Sequence, residues 1–455
     1  LEALERMMVE REQELLDALH EDLGKHALEA WSTEIAYVAG DAKYCRKRLK
    51  KWSRRRRVAT PMVGQPGKSW LQPEPLGVVL VIGAWTYPMQ LALGGAAAAI
   101  AAGNCVVIKP SELAPATSAA VARLVPEYLD QRCVRVVEGA IPETTALLEL
   151  PWDHILYTGG GNVGRIVMAA AAKHLTPVTL ELGGKDAAIV LEDADVERAA
   201  RGVVFGALFN AGQTCLSIER IYVARGIHDE FVQRVVSLVE DLRVGDEADV
   251  DVGPLVTDAQ VDVVERHVQD ALEKGARVLT GGRRQDPGSS VFLPTVLVGV
   301  DDSMDVVSEE SFGPLLPIMA FENDEDAVRR CNESGYGLFA SVWAGDRARG
   351  IRIARRLRAG GVSVNDVLAH YGVAGLPMGG VGLSGFGSRR GLEALDEMSR
   401  PHTLFIDRLG LKREPWWFPY SSSGTRLIRA VLDWRGLGGV GGAARAAGRF
   451  FRRGR

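Results

Sequence analysis

The chain has 455 residues, 47% of them hydrophobic and 25% charged, and a formal net charge of −4. That length allows two or three domains with a sizeable core, and the composition excludes a disordered or fibrous chain. The acidic balance speaks against nucleic-acid binding, and no run of about 18 large apolar residues suggests a membrane span.

Residues 1–57 carry a helical pattern, starting at once with Leu1, Leu4, Met7 and Met8. With no initiator Met and no signal-peptide pattern, we expect a few residues to be missing from this end. The zone closes in a basic run, 43–57, in which ten of fifteen residues are Lys or Arg, read as a solvated helix face and its exit. Pro- and Gly-rich punctuation at 61–75 follows, expected to form an arm. From Gly77 short apolar runs alternate with helix-length segments: 77–82, 105–108, 134–137, 154–157 and 177–182. Continuous apolar strands separated by helices imply a parallel sheet covered on both faces, an architecture suited to nucleotides. A second series follows Gly184, with strands at 187–191, 219–223, 315–321, 341–344 and 361–364 and helices at 196–209 and 228–242. The expected organisation is a nucleotide-binding domain at 1–182 with an arm at about 58–76, a catalytic domain at 183–395, an oligomerisation strand and return segment at 396–420, and a basic tail at 421–455.

Five cysteines, at 45, 105, 133, 215 and 331, form no CxxC pair, no disulfide framework and no metal-like spacing with His. A reducing, cytoplasmic setting and no metal are expected. Cys215 stands out by context, because Gly212-Gln213-Thr214 suits a turn that exposes a thiol to a ligand. Such a thiolate can form a thiohemiacetal that passes a hydride onward as a thioester forms. Glu181, set between Leu180 and Leu182, reads either as an exposed edge-strand residue or as a buried carboxylate whose raised pKa suits a general base. Gly159, Gly161 and Gly164 make a G-x-G-x-x-G between a strand and a helix, a plain turn or a pyrophosphate cradle of backbone amides. Lys109-Pro110-Ser111-Glu112 follows a strand end, where Lys109 can donate to a ribose and Glu112 accept from it.

Together with Glu309-Glu310-Ser311-Phe312-Gly313-Pro314 and Pro377-Met378-Gly379-Gly380-Val381-Gly382, these segments resemble the aldehyde dehydrogenase superfamily, in order along nearly the whole chain. The wording at 154–158 and 171–178 is similar to its class 3 and fatty-aldehyde branch. The resemblance implies an α/β fold with a Rossmann-like nucleotide-binding domain, a second α/β catalytic domain and a small β oligomerisation arm. It implies that Cys215 attacks an aldehyde, that the hydride leaves for NAD or NADP, and that Glu181 activates the hydrolytic water. Glu310 and Phe312 would hold the nicotinamide ribose and ring, and Lys109 and Glu112 the adenosine ribose. Gly159, Gly160, Gly164, Leu182 and Gly183 would lie along the cofactor. NAD is slightly favoured, since Glu112 would repel a 2′-phosphate. A homodimer built on 61–75 and 403–406 is also implied.

Two positions depart from the family's pattern. Thr86 follows Trp85 where an oxyanion-stabilising Asn is usual, and a Thr hydroxyl reaches less far, so slow catalysis is expected. Gly160-Gly161 replaces the usual Ser and Thr, which removes two hydroxyls from the pyrophosphate turn. Trp85, Tyr87, Met89 and Phe209 suggest a medium- or long-chain or aromatic aldehyde. A catalytically impaired nicotinamide-binding protein of the same fold and a CoA-acylating variant remain alternatives. Residues 426–455 hold eight Arg against the single acid Asp433. Leu427, Ile428, Val431, Leu432 and Trp434 could form an apolar stripe there, and Phe450 and Phe451 sit among arginines. This tail reads as a disordered extension, a lid, or a peripheral membrane contact, which leaves a cytoplasmic or membrane-associated location open.

Overall fold

The computed structural model describes residues 1–436 except 62, 63, 248 and 415, with side chains as far as residue 430. The chain divides into two compact units, Leu1–Leu49 with Pro75–Ser399, and Lys50–Glu74 with the chain from Arg400 onward.

The first unit is α/β and holds two largely parallel sheets. Across the six-stranded sheet the order is Gly385–Phe386, Val178–Glu181, His154–Thr158, Val78–Ile82, Cys105–Lys109, Val134–Val136. Only Gly385–Phe386 runs antiparallel to its neighbour. The chain moves outward from Val78–Ile82 to Val134–Val136, then crosses back to His154–Thr158 on the other side. That reversal opens a crevice beyond the carboxyl ends of Ile82 and Thr158, where sheets of this type take ligands. The strands are continuous apolar runs because both faces are covered; Val79, Leu80, Val81 and Ile82 are all buried.

The seven-stranded sheet runs Arg277–Thr280, Thr295–Val298, Leu315–Phe321, Ile218–Ala224, Asp186–Val190, Phe339–Trp343, Gly361–Val364. Only Arg277–Thr280 is antiparallel. Against it packs the helix Val196–Leu208, capped by the Asp195 carboxylate, which accepts from Arg198 N at 3.0 Å. Ala199, Ala200, Val203, Val204, Ala207 and Leu208 recur at helical spacing and form its buried face.

The second unit carries a three-stranded sheet in the order Arg56–Val58, Lys68–Pro75, Ser399–Ile406. Here the basic run departs from a purely helical reading, since the helix Ala36–Trp52 stops and Arg56–Val58 extends as a strand. The Arg55 guanidinium lies 4.3 Å above the Trp70 ring on the neighbouring segment, so part of this charge packs on an aromatic face. Leu404, Phe405 and Ile406 of the edge strand are exposed. A helix follows at Ser422–Gly436, and no described helix is long and apolar enough to cross a membrane. Of the tail features read from sequence, the side chains of Val431, Leu432 and Trp434 and the whole of Phe450 and Phe451 lie outside the described residues.

Candidate active site

The helix Val196–Leu208 delivers the thiol by ending abruptly. Asn210, Ala211 and Gly212 take positive φ of 54°, 56° and 76°, a left-handed conformation that costs about 1–2 kcal/mol per L-residue. Side-chain amides hold that strained turn. Asn210 Nδ2 donates to Gln213 O at 2.9 Å and to Thr86 O at 3.2 Å. Gln213 Nε2 donates back to Asn210 O at 3.1 Å, and its Oε1 accepts from Val256 N at 2.8 Å. A Cβ on Gly212 would overlap the Gly313 carbonyl, so only glycine fits the turn. From 210 to 220 every residue is buried except Cys215, which alone keeps partial exposure.

Glu181 ends its strand with 3% exposure, and its Oε1 has no hydrogen-bond partner. Burial pushes its carboxyl up to about 8, opposed by Arg389, whose Nε lies 3.8 Å from Oε2. Burial also pushes the Cys215 thiol up to about 12; Arg389 pulls it down, while Glu181, Asp186 and Glu310 add to the rise. Arg389 is therefore the cation that lowers both the Glu181 carboxyl and the Cys215 thiol. Although burial works against its charge, Tyr371, Tyr37, Glu181 and Cys215 all favour it. Its guanidinium donates to the Tyr371 hydroxyl, which donates to Gln90 Oε1 at 2.6 Å, and the Tyr371 ring stacks on Tyr37 at 5.0 Å.

A cavity of about 320 Å³ lies in front of these groups. Thr86 reaches it from the segment after Val78–Ile82, Gly159 and Gly160 from the turn after His154–Thr158, and Glu181, Leu182 and Gly183 from the end of the next strand. Cys215, Glu310 and Phe312 close it from the seven-stranded sheet's side. Of the cofactor residues that the resemblance implies, Lys109, Glu112 and Gly164 are not on its wall. Lys109 Nζ donates to Glu112 Oε2 at 2.6 Å, so this pair satisfies itself in the structure. Partial burial of Glu112 acts to raise its pKa, but that bond and the Lys109 charge hold it below the usual carboxylate range. Gly164 instead lets the helix Gly161–Ala172 approach the sheet, since a Cβ there would come within 2.7 Å of Leu182 Cδ2.

The cavity's groups suit the nicotinamide end of a dinucleotide. Thr158 Oγ1 and Glu181 Oε1 are buried without partners, a Cβ on Gly160 would meet nothing within 4 Å, and the helix Gly161–Ala172 begins there with its free amides. Trp85 and Phe312 meet edge to face at 5.6 Å. Phe312 has φ 52°, held because Glu219 accepts from Ser311 N at 2.7 Å and Phe312 N at 2.9 Å while Lys185 donates to the same carboxylate at 2.6 Å. Glu310 Oε1 accepts from Gly184 N at 2.8 Å.

Several participants carried no sequence signal. Thr86 is positioned through its carbonyl, which accepts from Lys25 Nζ at 2.7 Å, and Lys25 in turn pairs with buried Glu34 at 2.9 Å. Glu34 accepts from Met89 N and Gln90 N, which ties the first helices to the segment after Trp85. The hydroxyl of Tyr87, which the sequence tied only to the substrate, lies 2.7 Å from Thr214 Oγ1, the residue before Cys215. Arg389 and Lys185 were not singled out by the sequence.

The aldehyde dehydrogenase family profile matches residues 1–404. Aldehyde dehydrogenase family 3 member A2 of Mus musculus is 39% identical over 416 residues, covering 91% of this chain and 84% of that protein. The dimeric, NADP-preferring aldehyde dehydrogenase of Canis lupus familiaris is 38% identical over 410 residues, covering 89% and 88%. Among solved structures, the substrate-bound state of Staphylococcus aureus AldH is similar with a TM-score of 0.86 and 33% identity, covering 94% of this chain and 93% of that one. With a thiol and a buried carboxylate brought together at one cavity on this fold, the chain belongs to the aldehyde dehydrogenase family, whose members oxidise aldehydes with NAD or NADP.

Proposed function

We propose that this protein oxidises a medium- or long-chain or aromatic aldehyde to its carboxylic acid, with Cys215 as nucleophile and Glu181 as the base for hydrolysis. The observation that carries the reading is that Cys215, the one partly exposed residue of its loop, opens onto the same cavity as the partnerless Glu181 oxygen. The Cys215 thiol loses its proton to solvent, the sulfur bonds to the aldehyde carbon as the C=O π bond opens, and the oxygen takes up the negative charge near Thr86. NAD or NADP, held at Gly159, Gly160, Glu310 and Phe312, would supply the hydride acceptor, and loss of hydride from the carbon would leave a thioester on Cys215. Glu181 then takes a proton from water as its oxygen attacks the thioester carbon; the carbon–sulfur bond breaks, and the proton returns to the departing thiolate.

An apolar substrate chain is supported by a second cavity of about 450 Å³ whose wall joins Phe205, Leu208, Phe209, Leu238 and Leu242 to His26, Glu29, Arg201 and Asp251. Phe209 stacks on Tyr87 at 6.5 Å, and the Tyr87 hydroxyl lies 2.7 Å from Thr214 Oγ1. Both dinucleotides are expected to serve. Glu112 disfavours a 2′-phosphate, yet Lys109 at 2.6 Å offsets that charge, and two mammalian relatives bear the name NADP-preferring. The test is dinucleotide reduction across aldehyde chain lengths, with both cofactors, on the wild type and Thr86→Asn. Wild type should prefer longer apolar aldehydes. Thr86→Asn should raise kcat, up to about 10²-fold if a full oxyanion donor is restored. An unchanged or lower rate in Thr86→Asn sinks the oxyanion reading, and acyl-CoA formation on adding CoA would replace hydrolysis with acyl transfer.

We further propose a homodimer that uses the edge strand Ser399–Ile406, supported by exposed Leu404, Phe405 and Ile406 and by a relative described as dimeric. Light scattering should give twice the chain mass for wild type and a monomer for Phe405→Arg; equal masses end the idea. The basic tail is proposed to touch anionic lipid. Cosedimentation with phosphatidylserine vesicles should fall at least several-fold on truncation after Tyr420, whereas equal pelleting removes that role.

A further inference from the structure

We propose that His267, Asp305 and Glu309 form a binding site for a divalent cation of the zinc or cobalt class, at the root of the loop that carries Glu310 and Phe312. Their ligand atoms all lie within 4.8 Å of one another. His267 sits on the helix Asp258–Glu273 in register with Val261, Val264, Val268 and Ala271, so the sequence turns an imidazole inward with an apolar face, and it has 0% exposure. A buried imidazole normally satisfies both nitrogens. Here Nδ1 lies 3.0 Å from Ser311 Oγ, which also receives Lys185 Nζ at 3.0 Å, but buried Nε2 has no hydrogen-bond partner.

That orphan nitrogen faces carboxylates. Glu309 Oε2 is 3.7 Å from Nε2, beyond a hydrogen bond and near the separation of about 3.3 Å that bonds of 2.0–2.1 Å impose on two tetrahedral ligands. Asp305 opens the four-residue helix Asp305–Ser308 and Glu309 follows it, an i, i+4 spacing that places both acids on one side. With Nδ1–H donating to Ser311 Oγ, Nε2 presents its lone pair outward, the arrangement that orients a metal-bound histidine. The competing cation is Lys274, 3.9 Å from Asp305 Oδ1 but closer to Asp270, at 2.7 Å.

One imidazole and two carboxylates, with water completing the shell, suit zinc or cobalt better than the oxygen-seeking magnesium or calcium. A cation here would tie the helix Asp258–Glu273 to Glu309, the residue before the one that accepts from Gly184 N. It would thereby stiffen the loop on the cofactor side of the cavity.

Cobalt(II) titration of the full chain, read by visible absorption, tests the site. One equivalent should bind with a nitrogen–oxygen-type spectrum and no thiolate-to-cobalt charge-transfer band, which separates this site from the five cysteines. Glu309→Gln and Asp305→Asn should each weaken binding tenfold or more while circular dichroism stays unchanged. Glu309 is largely exposed, so its variant is not expected to disturb folding. No binding, a thiolate band, or equal affinity in both folded variants overturns the proposal.

Discussion

Cys215→Ala is expected to abolish aldehyde oxidation, lowering kcat on the order of 10⁴-fold or more, while dinucleotide affinity changes little. The magnitude follows from there being no substitute among the described residues. Cys45 and Cys331 are buried elsewhere, and Cys105 and Cys133 sit at the beginning of two strands, away from the carboxyl ends that form the crevice. Dinucleotide affinity should survive because Gly159, Gly160, Glu310 and Phe312 reach the cavity from elements whose hydrogen bonds do not involve the thiol. Rapid-mixing absorbance and equilibrium dialysis check the two halves. A variant keeping more than about one per cent of wild-type kcat would place the nucleophile elsewhere.

Glu181→Gln is expected to separate the two chemical stages. Hydride transfer needs no base at the thioester, so a burst of reduced dinucleotide of about one equivalent should remain, followed by turnover slowed about 10²–10⁴-fold. The pH dependence gives an independent sign. Glu181 serves as a base only when ionised, and burial raises its carboxyl to about 8. Hydrolysis should therefore be fullest above about pH 8 and fall roughly tenfold per unit as pH drops below that value. In Glu181→Gln that inflection should disappear. If it persists, the group titrating in wild type is another one, and if the burst itself vanishes, Glu181 acts before the thioester forms.

Both predictions rest on residues that the sequence singled out, and the reason is local. The pairing of Leu180 with Leu182 around a carboxylate, and a small polar turn before a thiol, are signals carried within three or four residues. The parallel strands were legible on the same terms: a strand buried on both faces must be apolar throughout, and Leu315–Phe321 has the bounds read from its apolar run. Lys109 and Glu112 show what short range leaves out: each has the chemistry for a ribose, and at i, i+3 they also meet one another at 2.6 Å.

What the chain determines by itself is thus the alternation of elements, the two residues proposed here as nucleophile and base, and the family pattern that joins them. The tertiary structure alone decided how these groups are tuned. Arg389 is a surface charge to any local reading until packing against Tyr371 and Tyr37 buries it beside Glu181 and Cys215. Lys25 and Glu34, near the start of the chain, anchor the carbonyl of Thr86, and His267 acquires its unpaired nitrogen only where two distant segments meet. Desolvation and Coulomb interactions depend on which remote groups surround a charge, and periodicity and spacing along the chain do not encode that surrounding.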